Sequence, residues 1–270
     1  MIQPIPSATI SDDAFTLAEV SVRFGAACAL SSVSLRVRRG ERVAFIGPSG
    51  AGKTTLLRVL NGSVRPTSGQ AHVEGQPIAS LSPRQLRLLR GRIGFVHQDL
   101  NLVPNLRVIQ NVLSGQLGRQ SLLGSLRSML FPSRSQAARV HEILERVGIA
   151  QKLYERTDRL SGGQQQRVAI SRALYQQPAA LLADEPLASV DPERARDLVS
   201  LLTDISVERG LTLCVSLHNL ELARAYFPRI VALRDGQVMF DRLTSEVDEA
   251  TFRELYRLGA AEPSPAGAFA

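Results

Sequence analysis

The stretch RVAFIGPSGAGKTTLLRVL, residues 42–60, decides the fold. Its apolar run RVAFI ends at a glycine, which is typical of a strand buried on both faces of a parallel sheet. GPSGAGKT then matches G-x-x-x-x-G-K-[ST] at every fixed position, and TTLLRVL is predicted to be a helix. A strand, a glycine-rich loop and a helix in this order predict a phosphate-binding loop within an α/β core, and not an ordinary glycine-rich turn.

The loop has the chemistry that a nucleotide needs. Glycines let the backbone turn its N–H groups inward, and the start of the helix adds partial positive charge. Lys53 is expected to reach the β- and γ-phosphates, and the hydroxyl of Thr54 is expected to bind Mg²⁺. The residues of this predicted ATP site are Gly47, Pro48, Ser49, Gly50, Ala51, Gly52, Lys53, Thr54 and Thr55.

A second apolar run, ALLADEP, supplies the acidic groups that such a site requires. It ends in Asp184 and Glu185, followed by Pro186. Taken alone, these residues could be an acidic loop at the start of a turn. With a phosphate loop upstream, we expect Asp184 to bind Mg²⁺ together with Thr54. Glu185 is then the candidate general base for an attacking water.

The stretch LSGGQQQRV, which begins at Leu160, predicts a second anion site. Ser161, Gly162, Gly163 and Gln164 open a helical run, so its free N–H groups could hold a phosphate. The motif brings no lysine and no acidic metal ligand, so it cannot complete a nucleotide site alone. It is either an ordinary helix start or one half of a site completed by a second copy of the chain.

Composition limits the class of protein. The chain has 270 residues, of which 44% are hydrophobic, and its formal net charge is +7. Nucleic acid or an anionic membrane could explain the basic charge, but a solvated, arginine-rich surface is the favoured interpretation. Two cysteines do not make a disulfide framework, so a reducing, cytosolic compartment is expected. No apolar run reaches the roughly 18 residues of a membrane span, and the N-terminus does not resemble a secretory signal.

Strand-like and helical runs alternate along the chain, which predicts an α/β fold. The stretch from about residue 99 to 177 has helical patterns without strands, and we call it the helical lobe. The predicted organisation is an N-terminal extension over 1–13, one domain over 14–260 that contains this lobe, and a disordered tail over 261–270. Within the lobe, SLLGSLRSMLF could be an exposed docking helix or part of the lobe's core.

Taken together, GPSGAGKT, ALLADEP and LSGGQ resemble the Walker A, Walker B and signature motifs of the nucleotide-binding subunits of ATP-binding-cassette (ABC) transporters. The resemblance extends from about residue 15 to about residue 258. It implies a P-loop NTPase (RecA-like) core with an antiparallel β subdomain and an inserted helical signature subdomain.

The resemblance also implies roles for single residues. Phe24 would stack on adenine, Gln98 would be the Q-loop glutamine near Mg²⁺ and the attacking water, and His218 would be the switch histidine. Asp191 would belong to the D-loop, and it is also a good helix N-cap before Pro192. From the residues alone, Phe24 would be read as a core residue, and Gln98 and His218 as polar residues after strands.

The expected partners follow from the same resemblance. They are a second ATPase subunit, transmembrane permease subunits and, indirectly, a periplasmic solute-binding protein, which places the chain at the cytoplasmic face of the inner membrane. Softer stretches, such as LNLVPNLRVIQNVLSGQLG and the closing FRELY, are similar to the phosphonate-importer group, which implies uptake of phosphonate or a related oxyanion. The alternatives are a cassette of another transport or cell-envelope complex and, less favoured, an ATPase acting on nucleic acid.

Overall fold

The computed structural model describes residues 12–119, 121–186 and 192–257. The predicted tail at 261–270 lies outside these ranges, and so does almost all of the predicted extension at 1–13. The first described strand begins at Asp13. The predicted domain boundaries therefore stay predictions.

Two sheets form the framework of the residues that the structure describes. The first is antiparallel with four strands in the order β2-β1-β4-β5, and the second has six strands in the order β10-β9-β3-β8-β7-β6. In the second sheet, β3, β6, β7, β8 and β9 run parallel, and β10 pairs antiparallel with β9. The strands are β1 (Asp13–Phe24), β2 (Ala27–Arg38), β3 (Arg42–Ile46), β4 (Ser68–Val73), β5 (Gln76–Pro77), β6 (Ile93–Val96), β7 (Ala180–Ala183), β8 (Thr212–Leu217), β9 (Arg229–Arg234) and β10 (Gln237–Leu243).

The six-stranded sheet is buried on both faces, as the apolar run in β3 predicts. Alternate residues of its central strands point to opposite sides. Val43 and Phe45 join a core shared with the four-stranded sheet, whereas Ala44 and Ile46 join a core shared with helices. Phe45 is fully buried, so truncation to alanine is expected to cost about 3–5 kcal/mol.

Helices follow most of the strands. They are α1 (Lys53–Leu60), α2 (Pro83–Gly91), α3 (Val108–Leu113), α4 (Leu122–Leu130), α5 (Arg134–Arg146), α6 (Gly162–Tyr175), α7 (Pro192–Arg209), α8 (Leu220–Tyr226) and α9 (Glu249–Arg257). In the described part of the helical lobe, helices α3 to α6 occur without a strand between β6 and β7. No helix in the described ranges is both long enough and apolar enough to span a bilayer.

Local sequence signals explain where several elements begin. Ser82 caps α2, with Pro83 in the first turn, as the sequence predicts. Ser133 and Ser161 cap α5 and α6 with the same reciprocal capping box. The predicted hairpin turn at Asp235 and Gly236 joins β9 to β10, and both residues have positive φ.

Helix α4 settles the two interpretations of SLLGSLRSMLF. Its apolar side chains face solvent: Leu123 is 80% exposed, and Leu126, Leu130 and the following Phe131 are also exposed. Among the side chains of this segment that the structure describes, Met129 alone packs against the core as a partly buried hydrophobic residue. The core interpretation is therefore wrong for most of the segment, because these apolar side chains are exposed to solvent.

Candidate active site

The loop between β3 and α1 is shaped by two close backbone approaches. A Cβ atom on Gly47 would lie 2.1 Å from the carbonyl oxygen of Leu233, and one on Gly52 would lie 2.6 Å from that of Ala29. Gly47 and Gly52 also have φ values of 149° and 99°. Since neither position has room for a side chain, glycine is required for the loop to wrap against β2 and the β9–β10 hairpin.

Lys53 begins α1 and folds back onto its own loop. Its Nζ atom donates to the carbonyl oxygens of Gly47 at 2.8 Å and Pro48 at 3.0 Å. The side chain is only 3% exposed, and Nζ lies 3.6 Å from Oε1 of Glu185. Burial lowers the pKa of Lys53, and the Glu185 carboxylate opposes this shift. The loop thus holds a cation whose present partners a phosphate could replace.

Thr54 and Asp184 meet although 130 positions separate them in the chain. Thr54 Oγ1 donates to Asp184 Oδ1 at 3.0 Å, and the buried Ser216 donates to the same oxygen at 2.9 Å. Asp184 follows β7, and Ser216 lies on the neighbouring strand β8. Because parallel strands end at the same sheet edge, their carboxyl ends bring these groups to the phosphate loop.

Glu185 lies at the centre of the polar cluster. Its Oε1 atom is 2.6 Å from Nε2 of His218 and also faces Lys53. Its backbone N–H donates to Ser216 Oγ at 2.7 Å. Glu185 has a φ of 44°, which a non-glycine residue rarely adopts, so the backbone is turned sharply where the carboxylate is presented.

The donor set fits a hard divalent cation. Thr54 offers a hydroxyl oxygen and Asp184 a carboxylate oxygen, and oxygen ligands of this kind suit Mg²⁺, which usually also binds phosphate oxygens and water. In this structure the two groups bond to each other, so they already lie within the reach of one ion. Gln98, the third predicted metal residue, follows β6 and is exposed. Within the described ranges, no hydrogen bond joins it to Thr54 or Asp184.

The signature residues open α6, and none of their described hydrogen bonds reaches the phosphate loop of the same chain. Ser161 Oγ accepts from the N–H of Gln164, and Gln164 Oε1 accepts from the N–H of Ser161. Added Cβ atoms on Gly162 or Gly163 would have nothing within 4 Å. The start of this helix is therefore an open surface, at which further groups could approach the backbone.

The structure describes two of the three remaining predicted site residues, Phe24 and His218, and does not describe Asp191. Phe24 ends β1 and is 54% exposed, so it is not a core residue. His218 lies just after β8, in the cluster with Glu185. Asp191 lies outside the described residues, although α7 begins at Pro192 as expected.

Ser216 is a functional candidate that the sequence interpretation missed. It is fully buried, and it bonds both to the Asp184 carboxylate and to the Glu185 backbone. A serine inside the apolar strand TLCVSL, two residues before His218, was the available signal. A buried hydroxyl requires a partner, and the end of β7 is where that partner would lie.

Solved structures share this fold. The cbiO1 protein of Clostridium perfringens, part of the ABC transporter complex cbiONQ, matches with a TM-score of 0.76 and 28% identity over 93% of this chain and 96% of that one. The cassette MJ0796, in a dimeric post-hydrolysis state bound to ADP and Pi, matches with a TM-score of 0.74 and 32% identity over 85% and 98%. The predicted P-loop NTPase fold is confirmed.

Curated relatives are more similar in sequence. The phosphonates import ATP-binding protein PhnC of Pseudomonas putida is 44% identical over 257 residues, which are 95% of each chain. PhnC of Anaeromyxobacter dehalogenans is 51% identical over 257 residues, and this chain spans 51% of its length. Residues 30–188 match the family described as ABC transporter. The chain therefore belongs to the ABC transporter family.

Proposed function

We propose that this chain is the ATP-hydrolysing subunit of an importer for phosphonate or a related oxyanion, such as phosphite or a phosphate ester. The observation that carries the ATPase assignment is the Glu185 carboxylate, which lies within 2.6 Å of His218 and 3.6 Å of the phosphate-loop lysine. The solute class is supported by the names of the relatives from Pseudomonas putida and Anaeromyxobacter dehalogenans.

The residues divide the chemistry between them. Lys53 and the N–H groups of the loop would hold the phosphates, and Thr54 and Asp184 would hold Mg²⁺, which supplies charge neutralisation when it is bound. Glu185 would accept a proton from water, while His218 and Gln98 would orient the groups around it. Catalysis of phosphoryl transfer is mostly positioning and charge stabilisation, which this rigid strand-end cluster can provide.

A second copy of the chain would complete the site. Each ATP would lie between the loop at Gly47–Thr54 of one copy and Ser161–Gln164 of the other. The open surface at Gly162 and Gly163 supports this arrangement, and MJ0796 forms a dimer. Asp191 would take part in the same contact, and Phe24 would stack on the adenine ring.

The remaining partners are membrane proteins and a solute receptor. We place the chain at the cytoplasmic face of the inner membrane, with the helical lobe against permease subunits and a periplasmic binding protein delivering the solute. The exposed apolar face of α4 supports a protein contact on the lobe. Closing of the ATP dimer would then move the permease.

Two experiments test the two parts of the proposal. Purified protein should release phosphate from ATP only with Mg²⁺, and Glu185→Gln should accumulate as an ATP-bound dimer. Absence of hydrolysis in the wild type together with its permease would overturn the ATPase assignment.

Cells that lack the chain should lose growth on methylphosphonate as the sole phosphorus source, and growth should return with the wild type and not with Glu185→Gln. If cells that lack the chain still grow on methylphosphonate, the proposed solute class is wrong, and the ATPase assignment is unaffected.

A further inference from the structure

The turn that carries Gln98 starts beside Asp184. Strand β6 ends at Val96, whose carbonyl oxygen accepts the backbone N–H of Asp184 at 2.9 Å. The chain then reverses, and the N–H of Leu100 donates to the carbonyl oxygen of His97 at 3.0 Å, which places Gln98 between the two bonded residues. We call residues 97–101 the Gln98 turn. Its first end is therefore tied to the strand end that presents Asp184.

The second end of the Gln98 turn has a strained backbone. Leu100 and Asn101 have φ values of 57° and 47°, which lie in the left-handed region that residues other than glycine rarely adopt. Conformations of this kind persist only where surrounding groups fix them. The turn therefore depends on contacts that come from outside it.

Arg172 of α6 makes these contacts. Its Nη1 atom donates to the carbonyl oxygen of Asn101 at 2.5 Å, and its Nη2 atom donates to that of Leu100 at 2.6 Å. One planar guanidinium thus spans both strained residues, which a lysine could not do with the same geometry. Burial lowers the pKa of Arg172, but arginine stays charged in proteins, so both hydrogen bonds are charge-assisted.

The backbone of Arg172 is held in place as well. A Cβ atom on Gly115 would lie 2.3 Å from the carbonyl oxygen of Arg172, so the segment after α3 packs directly against α6 at this point. Helix α6 begins about three turns earlier, at the open surface of Gly162 and Gly163. The Gln98 turn is therefore fixed at one end to the strand edge of the candidate site and at the other end to α6.

We propose that Arg172 is a positioning residue for ATP hydrolysis, which holds the strained end of the Gln98 turn and thereby keeps Gln98 in place at the site. The inference rests on the proposed function, in which Gln98 orients groups around Glu185. Loss of the two hydrogen bonds would let Leu100 and Asn101 relax. The phosphate loop would still bind ATP, and the hydrolysis step would be slower.

The test is Arg172→Met in the full chain, which removes both hydrogen bonds and keeps an unbranched apolar side chain. The ATP dissociation constant should not change, while kcat should fall about 10-fold, the size expected for the loss of a charge-assisted hydrogen bond. Arg172→Lys keeps the charge and loses the planar fork, so its kcat should lie between those of Arg172→Met and the wild type.

Arg167→Met is the matched control. Arg167 lies on the same helix and also donates to a backbone carbonyl, that of Val147 at 2.5 Å, which is not part of the Gln98 turn. Arg167→Met should lower the melting temperature about as much as Arg172→Met does, and it should leave kcat unchanged. An equal loss of kcat in the two variants would overturn the proposal, because general loosening of α6 would then explain both.

A double-mutant cycle with Gln98→Ala separates positioning from packing. Single-turnover phosphate release from radiolabelled ATP keeps slow variants measurable. If Arg172 acts through Gln98, Arg172→Met should slow hydrolysis in the wild type and have no further effect in Gln98→Ala. Equal effects in both backgrounds would overturn the proposal, because Arg172 would then act independently of Gln98.

The outcomes also separate this inference from the proposed function. An unchanged kcat in Arg172→Met, with an active wild type, overturns the positioning role and leaves the ATPase function standing. If Arg172→Met does not fold, Arg172→Lys decides, and a wild-type kcat in that variant overturns the positioning role. Wild-type protein without hydrolysis in its complex overturns the proposed function itself.

Discussion

Nε2 of His218 lies 2.6 Å from Oε1 of Glu185, and the same carboxylate oxygen lies 3.6 Å from Nζ of Lys53. These three residues come from the ends of β8 and β7 and from the start of α1. One carboxylate oxygen therefore links the phosphate loop to the residue after β8. This link predicts that Glu185 is required for hydrolysis and not for nucleotide binding.

Glu185→Gln should retain ATP binding and lose about 10²-fold or more in kcat, because an amide cannot accept the proton of the attacking water. Phosphate release at saturating ATP and a separate equilibrium binding measurement check this result. Glu193→Gln, an exposed glutamate in the first turn of α7, is the matched control. Retention of more than half of the activity by Glu185→Gln would show that another group serves as the base.

Ser216 should act through the metal position. It donates to Asp184 Oδ1 at 2.9 Å, so Ser216→Ala frees that carboxylate to rotate away from Thr54. Because Asp184 is the proposed metal ligand, the loss of the group that orients it should raise the Mg²⁺ concentration for half-maximal hydrolysis about 10-fold. A magnesium titration of the ATPase activity measures the shift.

The control for Ser216 is another buried serine. Ser206 is 2% exposed and donates to the carbonyl of Thr203 within α7. Ser206→Ala should lower the free energy of unfolding by about 1 kcal/mol and leave the magnesium titration unchanged. If Ser216→Ala and Ser206→Ala need the same Mg²⁺ concentration for half-maximal hydrolysis, Ser216 contributes to stability only.

The start of α6 should matter for hydrolysis more than for folding. Ser161→Ala removes an N-cap, which costs about 1 kcal/mol, and also removes a hydroxyl from the open surface that is proposed to hold a phosphate. Monomeric protein should still bind ATP, while hydrolysis and ATP-dependent dimerisation fall. Size-exclusion chromatography with ATP, alongside phosphate release, measures both effects.

Ser133 provides a close control, because it caps α5 with the same capping box, in which Gln136 takes the place of Gln164. Ser133→Ala should show a similar loss of stability and normal hydrolysis. If both variants hydrolyse ATP equally well, the open surface at α6 has no part in the ATP site.

The polar cluster shows which parts of the site a sequence can predict. Lys53, Thr54, Asp184 and Glu185 were predictable because each follows an apolar strand or a glycine loop, and strand ends converge at one edge of a parallel sheet. Ser216 was missed for a different reason. Its importance depends on a partner that is remote in the chain, and no local pattern marks a buried hydroxyl as paired or unpaired.

Helix α4 shows the corresponding limit for the fold. The spacing of apolar residues in SLLGSLRSMLF identifies a helix, but it does not say whether the apolar face meets the core or solvent. The structure turns Leu123, Leu126 and Leu130 outward. Which face is buried depends on how α3 and α5 pack, and that is a property of tertiary structure.

Arg229 should stabilise the junction between the two sheets. It donates to both carboxylate oxygens of Asp241 at 2.6 Å, to Glu41 at 2.8 Å and to the carbonyl of Arg36 in β2 at 2.9 Å. The side chain is only 18% exposed, so Arg229→Met should lower the free energy of unfolding by about 1–3 kcal/mol, because Asp241 and Glu41 lose their guanidinium partner. Arg146→Met is the control, because its pair with Glu208 is exposed to solvent, and its loss should change the free energy of unfolding little. Urea unfolding of both variants measures the difference, and equal losses would mean that the buried network adds nothing to a surface ion pair.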